Sequence, residues 1–332
     1  MQDINRIHGA LFGVAYGDAL GMPAEFWSRR KIKEYFGRVS TFLPAPAENE
    51  ITHGLKAGEV TDDTWMTLII ADALTENRGQ IDPHDLVKRI TGWVESNRNK
   101  SAALLGPSTK KAFELILNGA PIEEAGKNGA TNGSAMRIVP VGIVSDWRDL
   151  GTLVNNVRLA CLPTHNTSHA IGAASAIAAA VSCAVHGAPG DIKVVIDAAK
   201  EACIKGGQLG YESIGPSLLR KIETAIRISE DADGDELLLD EIYEVVGTGL
   251  PAFEAVPAAL ALVNRAKGDP VKCGKLTANC GGDTDTIGAM ACGICGAFSG
   301  IEAFPEDAIK LISRVNNVDF RAAAINLAGV KS

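Results

Sequence analysis

Gly58-Glu-Val-Thr-Asp-Asp-Thr-Trp-Met-Thr-Leu-Ile-Ile-Ala-Asp-Ala-Leu74 sets two adjacent carboxylates and a hydroxyl at the mouth of an apolar helix. Far downstream, Gly281-Gly-Asp-Thr-Asp-Thr-Ile-Gly-Ala-Met290 repeats the grammar: glycines, then Asp283, Asp285 and Thr286, then a helix of small residues. A single carboxylate at a helix N-terminus is usually a cap, satisfying free N–H groups and the helix dipole. Two such clusters in one chain invite a second reading. If folding brings them together, the carboxylates of Asp62, Asp63, Asp283 and Asp285 converge with the hydroxyls of Thr61 and Thr286. Like charges that close are tolerated only around cations. Oxygen ligands without histidine or cysteine suit Mg²⁺, with Mn²⁺ as the alternative, rather than Zn²⁺.

The rest of the composition fits a helical protein. Of 332 residues, 46% are hydrophobic but only 5% aromatic, a mix of Ala, Leu, Ile and Val among small side chains that favours closely packed helices. A net charge of −8 argues against a nucleic-acid or anionic-membrane binder, either of which needs a basic face. Seven cysteines scattered through apolar contexts do not form a disulfide framework in a chain of this size. Asp3 and Asp18 bracket the first apolar stretch, unlike a signal peptide, and even the Ala-rich run from Ala170 to Val185 stops short of about 18 uninterrupted apolar residues. A soluble, cytoplasmic protein is expected.

Apolar periodicity predicts helices over residues 4–21, 61–76, 83–95, 108–117 and 150–160, and then an Ala-rich helix to His186. Further helices are predicted at about 191–205, 215–228, 236–247, 252–266, 270–278, 285–299 and 305–328. In the helix over 61–76, Trp65, Leu68, Ile69 and Ala73 are expected to face inward. The Pro- and Gly-rich segment 35–58 reads as a loop, either a lid or a surface connection. No stretch alternates like a strand and no linker divides the chain, so the expected fold is all-α with one domain over 1–332. His165 precedes the Ala-rich helix and suits a hydrogen-bonding role in a pocket. The Asn132-Gly-Ser segment offers backbone N–H groups that could line a phosphate or sugar.

Five segments carry a resemblance: Gly9-Ala-Leu-Phe-Gly-Val-Ala-Tyr-Gly-Asp-Ala-Leu-Gly-Met-Pro-Ala-Glu25, Thr61-Asp-Asp-Thr64, Asn132-Gly-Ser-Ala-Met-Arg137, Thr164-His165 and Gly281-Gly-Asp-Thr-Asp-Thr286. In this order, and across nearly the whole chain, they resemble the ADP-ribosylglycohydrolase family. The resemblance implies an orthogonal helical bundle with a dinuclear magnesium site, its ligands Thr61, Asp62, Asp63, Asp283, Asp285 and Thr286. It also implies that Glu25 takes part in proton transfer or substrate gating, that Asn132, Gly133 and Ser134 contact phosphates or ribose, and that His165 lines the pocket.

The implied activity is Mg-dependent hydrolysis of an ADP-ribosyl bond at ribose C1, on an ADP-ribosylated protein or a small ribosyl-containing substrate. An oxocarbenium-like transition state needs a positioned water, whose proton Glu25 or Asp62 would take. The stretch Gly129-Ala-Thr131 has no aromatic residue to stack adenine, which leaves Tyr211 as the candidate. A smaller substrate, such as a nucleoside or another N-glycoside, is the alternative reading. A third is a non-catalytic structural or binding member of the fold, as lens crystallins resembling the family exemplify. The sequence sets neither the leaving group nor the oligomeric state.

Overall fold

A computed structural model describes residues 3–97, 104–187 and 190–330. Among the described residues the chain is built of helices and has no strand, only three isolated β-bridges. Its organising contact joins the two ends of the sequence. The first helix, Ile4–Gly21, is capped by the Asp3 carboxylate, which accepts from the N–H groups of Asn5 and Arg6. It lies along the helix Thr284–Ser299 in the most extensive helix pairing of the fold.

Gly9, Gly13, Gly17 and Gly21 recur every fourth residue and so fall on one face of the first helix. A Cβ at each would run into backbone of the partner: Gly296 and Gly300 opposite Gly9, Cys292 opposite Gly13, Gly288 opposite Gly17, and Thr284 opposite Gly21. The two backbones therefore touch. Gly288 meets the Gly17 carbonyl in the same way, so neither side has room to yield. Forcing a methyl group into such a contact costs about 1–3 kcal/mol or more. At the end of the stripe the Thr284 hydroxyl donates to the Gly21 carbonyl oxygen at 2.8 Å.

The larger of two apolar clusters among the described residues runs from Ile7 to Val330. At its centre lies the Ala-rich helix Ser168–Ser182, buried at every position from His169 onward and continued by a π-turn over Cys183–Gly187. Small side chains let neighbouring helices, chiefly Ile192–Gly206 and Val139–Val144, pack close against it. The span Ser168–Gly187 has the length and mean hydropathy (1.6) of a membrane helix, yet 89% of that window is buried inside the protein. It is the central core helix.

Several predicted elements shift. The helix expected over 305–328 is two, Glu306–Asn316 and Phe320–Ala328. Asn317 adopts the left-handed conformation with φ 53°, a cost asparagine bears better than most residues, and Asp319 caps the second helix. An unanticipated helix, Arg29–Phe36, starts from the Ser28 hydroxyl and stops at Gly37, where φ is 67°. The helix Asp62–Glu76 buries Met66, Thr67, Ile70, Ala71, Ala73 and Leu74, while Trp65, Leu68 and Ile69 are only half-buried. Its first turn sets that rotation, because burial of Asp62, Asp63 and Thr64 brings Met66, Thr67 and Ile70 to the same side.

Candidate functional site

The acidic cleft forms where the helices Asp62–Glu76 and Thr284–Ser299 point their N-termini at one space. Thr61 caps the first, its hydroxyl accepting from Asp63 N–H at 3.4 Å. Asp283 stands at the N-cap of the second, held there by its own N–H bond to the Thr248 carbonyl at 2.7 Å. Although 223 residues separate them, the Thr286 hydroxyl donates to Asp63 Oδ1 at 3.3 Å. The two clusters singled out in the sequence are one site.

Glu25 joins them from the end of the first helical segment. Its main chain is fixed on both sides: Phe26 N–H donates to the Gly282 carbonyl at 2.7 Å, Gly282 N–H donates to the Trp27 carbonyl at 2.9 Å, and the buried Asn49 amide donates to the Glu25 carbonyl at 3.0 Å. The long loop over 37–58 thus serves the site from behind, with the Thr52 hydroxyl on the Met22 carbonyl at 3.1 Å. Phe26 pays for this arrangement with a positive φ of 53°, a strain uncommon outside glycine and concentrated at functional sites.

Ligand oxygens from Glu25, Asp283 and Asp285 lie within 4.8 Å of one another, as do those from Asp18, Asp63 and Asp285. All are buried. Among the described residues, Glu25 Oε2, Asp63 Oδ2 and Asp285 Oδ1 have no hydrogen-bond partner. Burial first, and neighbouring carboxylates second, hold Glu25, Asp63 and Asp285 well above the usual carboxylate range. Asp62 is pushed up to about 8 by burial and the charge of Asp18. Burial also raises Asp283, against the Asn132 amide, which donates to its Oδ2 at 2.6 Å.

Asp18 is the member of the cluster that the sequence reading left out of the candidate ligands. It is fully buried, yet caps no part of its own helix. Instead both its oxygens accept from Thr61 N–H at 3.0 Å, and Oδ2 also accepts from the N–H and hydroxyl of Thr64. Burial raises it to about 6 in spite of these donors. The signal was available in its setting, a charged residue one position after Gly17 in an otherwise apolar stretch of the helix.

The cleft, of about 240 Å³, is lined by Glu25, Asp62, Asp63, Asp283, Asp285 and Thr286 on one side and by Thr131, Asn132, Gly133, Met136, Leu105 and Leu250 among others. Typical ligand clefts hold roughly 300–1,000 Å³, so a ligand much larger than a sugar ring extends past the mouth, where Phe26 and Lys110 stand. Other predicted residues lie elsewhere. Ser134 is buried with its hydroxyl on the Ala170 carbonyl at 3.3 Å. His165 is wholly enclosed behind the cleft wall. Tyr211 is 44% exposed and pairs its backbone with Thr167 rather than reaching the cleft.

An E. coli (strain K12) protein named YegU is 41% identical over 323 residues, covering 97% of this chain and 96% of its own. ADP-ribosylhydrolase ARH3 of Mus musculus is 26% identical over 344 residues, with 92% and 86% covered, and that of Homo sapiens 25% over 370 residues, with 100% and 95% covered. A solved structure described as an ADP-ribosylglycohydrolase-related protein complex superimposes with a TM-score of 0.71 at 26% identity, over 99% of both chains. An all-helical glycosidic-bond hydrolase is the class that the fold and these likenesses define. The chain belongs to the ADP-ribosylglycohydrolase family, whose model matches residues 1–331.

Proposed function

We propose that the protein is a magnesium-dependent hydrolase of an ADP-ribosyl bond at ribose C1, acting on an ADP-ribosylated protein or a small ribosyl conjugate. The observation that carries the reading is the set of buried, unpartnered oxygens on Glu25, Asp63 and Asp285. Such oxygens are costly unless a cation meets them. Thr61, Asp62, Asp63, Asp283, Asp285 and Thr286 would hold two Mg²⁺ ions, with Mn²⁺ acceptable to the same hard donors. Bound there, the ions would supply Lewis-acid polarisation and charge compensation.

The chain's own residues do the rest. Asn132 keeps Asp283 turned toward the cleft through their hydrogen bond. Glu25, with a free Oε2 and a raised proton affinity, takes the proton of the attacking water, and Asp62 is the second candidate for that task. The carboxylate floor favours positive charge developing at the ribose. Leu105, Met136 and Leu250 keep the opposite wall dry. The expected setting is the cytoplasm, in keeping with seven buried thiols that stay unpaired.

The test is a panel of ADP-ribosylated protein, ADP-ribosyl conjugates and free nucleosides, each with Mg²⁺ and with chelator. Release of ADP-ribose that needs Mg²⁺ is expected. Turnover of nucleosides alone would move the substrate to the smaller N-glycosides, and full activity in chelator would remove the metal from the mechanism.

A further inference from the structure

Behind the cleft wall a chain of hydrogen bonds runs from a buried cation to the edge that carries Asn132. Arg137, 2% exposed, donates from Nη2 to the Thr164 hydroxyl oxygen at 2.6 Å. The same oxygen lies 2.8 Å from His165 Nδ1. On the other side of the ring, Nε2 lies 2.9 Å from the Thr131 hydroxyl, which in turn donates to Ser108 Oγ at 3.0 Å.

Counting protons along this chain selects one arrangement. Arginine can only donate, so Thr164 accepts there and its own proton must go elsewhere. Thr164 and His165 are 1% and 0% exposed, which removes water as an acceptor. If Nδ1 carried the ring proton, the Thr164 hydroxyl would be left with no acceptor, at a cost of about 1–3 kcal/mol. If Nε2 carries it, Thr164 donates to Nδ1, Nε2 donates to Thr131, Thr131 donates to Ser108, and the ring proton and both threonine hydroxyl protons have partners. Burial, and next to it the Arg137 charge, also keep the imidazole neutral by holding its proton affinity well below the usual histidine range.

The ring's position gives the arrangement a use. A Cβ on Gly133 would sit 3.0 Å from both Cε1 and Nε2 of His165, so the ring is pressed against the cleft-lining main chain. Thr131 and Gly133 flank Asn132, whose amide grips Asp283.

We propose that His165 is a positioning residue rather than a substrate ligand: locked by Thr164 and Arg137 as the neutral Nε2–H tautomer, it fixes the Thr131–Asn132–Gly133 edge from which Asp283 is held. Its effect on the reaction rests on the ribosyl-hydrolase reading above, whereas the tautomer does not.

The test uses the full chain labelled with ¹⁵N-histidine, with His165 assigned by its loss in H165Q. Long-range ¹H–¹⁵N spectra near neutral pH are expected to show Nε2 protonated and Nδ1 bare in the wild type and in T164S. In T164V the hydroxyl is gone and both tautomers are expected in comparable amounts. KM for the ribosyl substrate rises about tenfold in T164V while kcat changes less, equivalent to about 1.4 kcal/mol of binding, and T164S restores it. A partly unfolded enzyme would lose kcat at constant KM instead. A wild-type ring protonated on Nδ1, or a T164V spectrum identical to the wild type, overturns the proposal. Should T164V not fold, the wild-type and T164S spectra decide it alone. A wild type inactive on every ribosyl substrate but carrying Nε2–H would sink the hydrolase reading and leave the tautomer standing.

Discussion

Two groups of carboxylates in this protein meet opposite fates. Glu236 and Asp240 face Arg29 and Lys33 across the surface: Arg29 Nε reaches Asp240 at 2.7 Å and Nη2 reaches Glu236 at 3.2 Å, while Lys33 reaches Glu236 at 2.9 Å. Their proton affinities are lowered, Glu236 by its Lys33 hydrogen bond and Asp240 by Arg29 against the opposing effect of partial burial. Asp62, Asp63, Asp285 and Glu25 are buried far more deeply, and among the described residues none forms an ion pair with a lysine or arginine. All four are pushed upward. The exposed group is complete as the chain supplies it. The buried one lacks only positive charge, and that deficit is its chemistry.

The sharpest way to break the contrast is to remove a carboxylate from the buried group. Asp285→Ala is expected to abolish Mg²⁺ binding by calorimetry and to lower kcat by roughly 10³-fold or more, with far-UV dichroism unchanged. Retention of full turnover would place the chemistry elsewhere. Asp18→Asn comes next, because an amide turns donor protons toward the N–H groups of Thr61 and Thr64 that now share its oxygens. A drop of roughly 10–100-fold in metal affinity or activity is expected for a residue that orients ligands from behind. An unchanged metal affinity would reduce Asp18 to a structural tie.

Acidity sharpens the same contrast. Asp62 at about 8 and Asp18 at about 6 lie above the ordinary value of about 4 for an unfolded chain. A folded state that holds protons more tightly than the unfolded one gains stability at low pH, fully present below about 4 and lost as pH rises through 6 to 8. The metal-free protein should therefore melt at falling temperatures between about pH 5 and about pH 8, and Mg²⁺ should flatten the slope. A metal-free slope that is flat or rising in that window would contradict the buried group's charge deficit. The smallest effect belongs to the exposed group: Glu236→Gln should cost less than about 1 kcal/mol in urea melts and leave turnover unaltered.

The carboxylate pairing was legible in the sequence because both clusters are written in the same short words, Thr61-Asp-Asp and Asp283-Thr-Asp-Thr, each opening an apolar helix. The helical content was legible for the same reason that periodicity always is, since buried faces recur. What escaped was orientation. Nothing in the local pattern distinguishes Met66 and Ile70 from Trp65 and Ile69 as the inward set, because all are apolar and only the tertiary position of Asp62 and Asp63 fixes the rotation. The role of Asp18 did not show because its partners, Thr61 and Thr64, lie more than forty residues away. His165 reads as a pocket-lining, hydrogen-bonding residue because it precedes the Ala-rich helix, whereas Gly133 puts the ring one layer back.

The glycine stripe of the first helix has a consequence for how the protein is made. Its partner, Thr284–Ser299, begins 263 residues after Gly21, so Asp62 and Asp63 leave the ribosome without the surface that completes them. Closure across so long a stretch of chain is entropically late. Assembly of the acidic cleft then waits for that late pairing, and a nascent chain stalled before Gly281 lacks both Asp283 and Asp285.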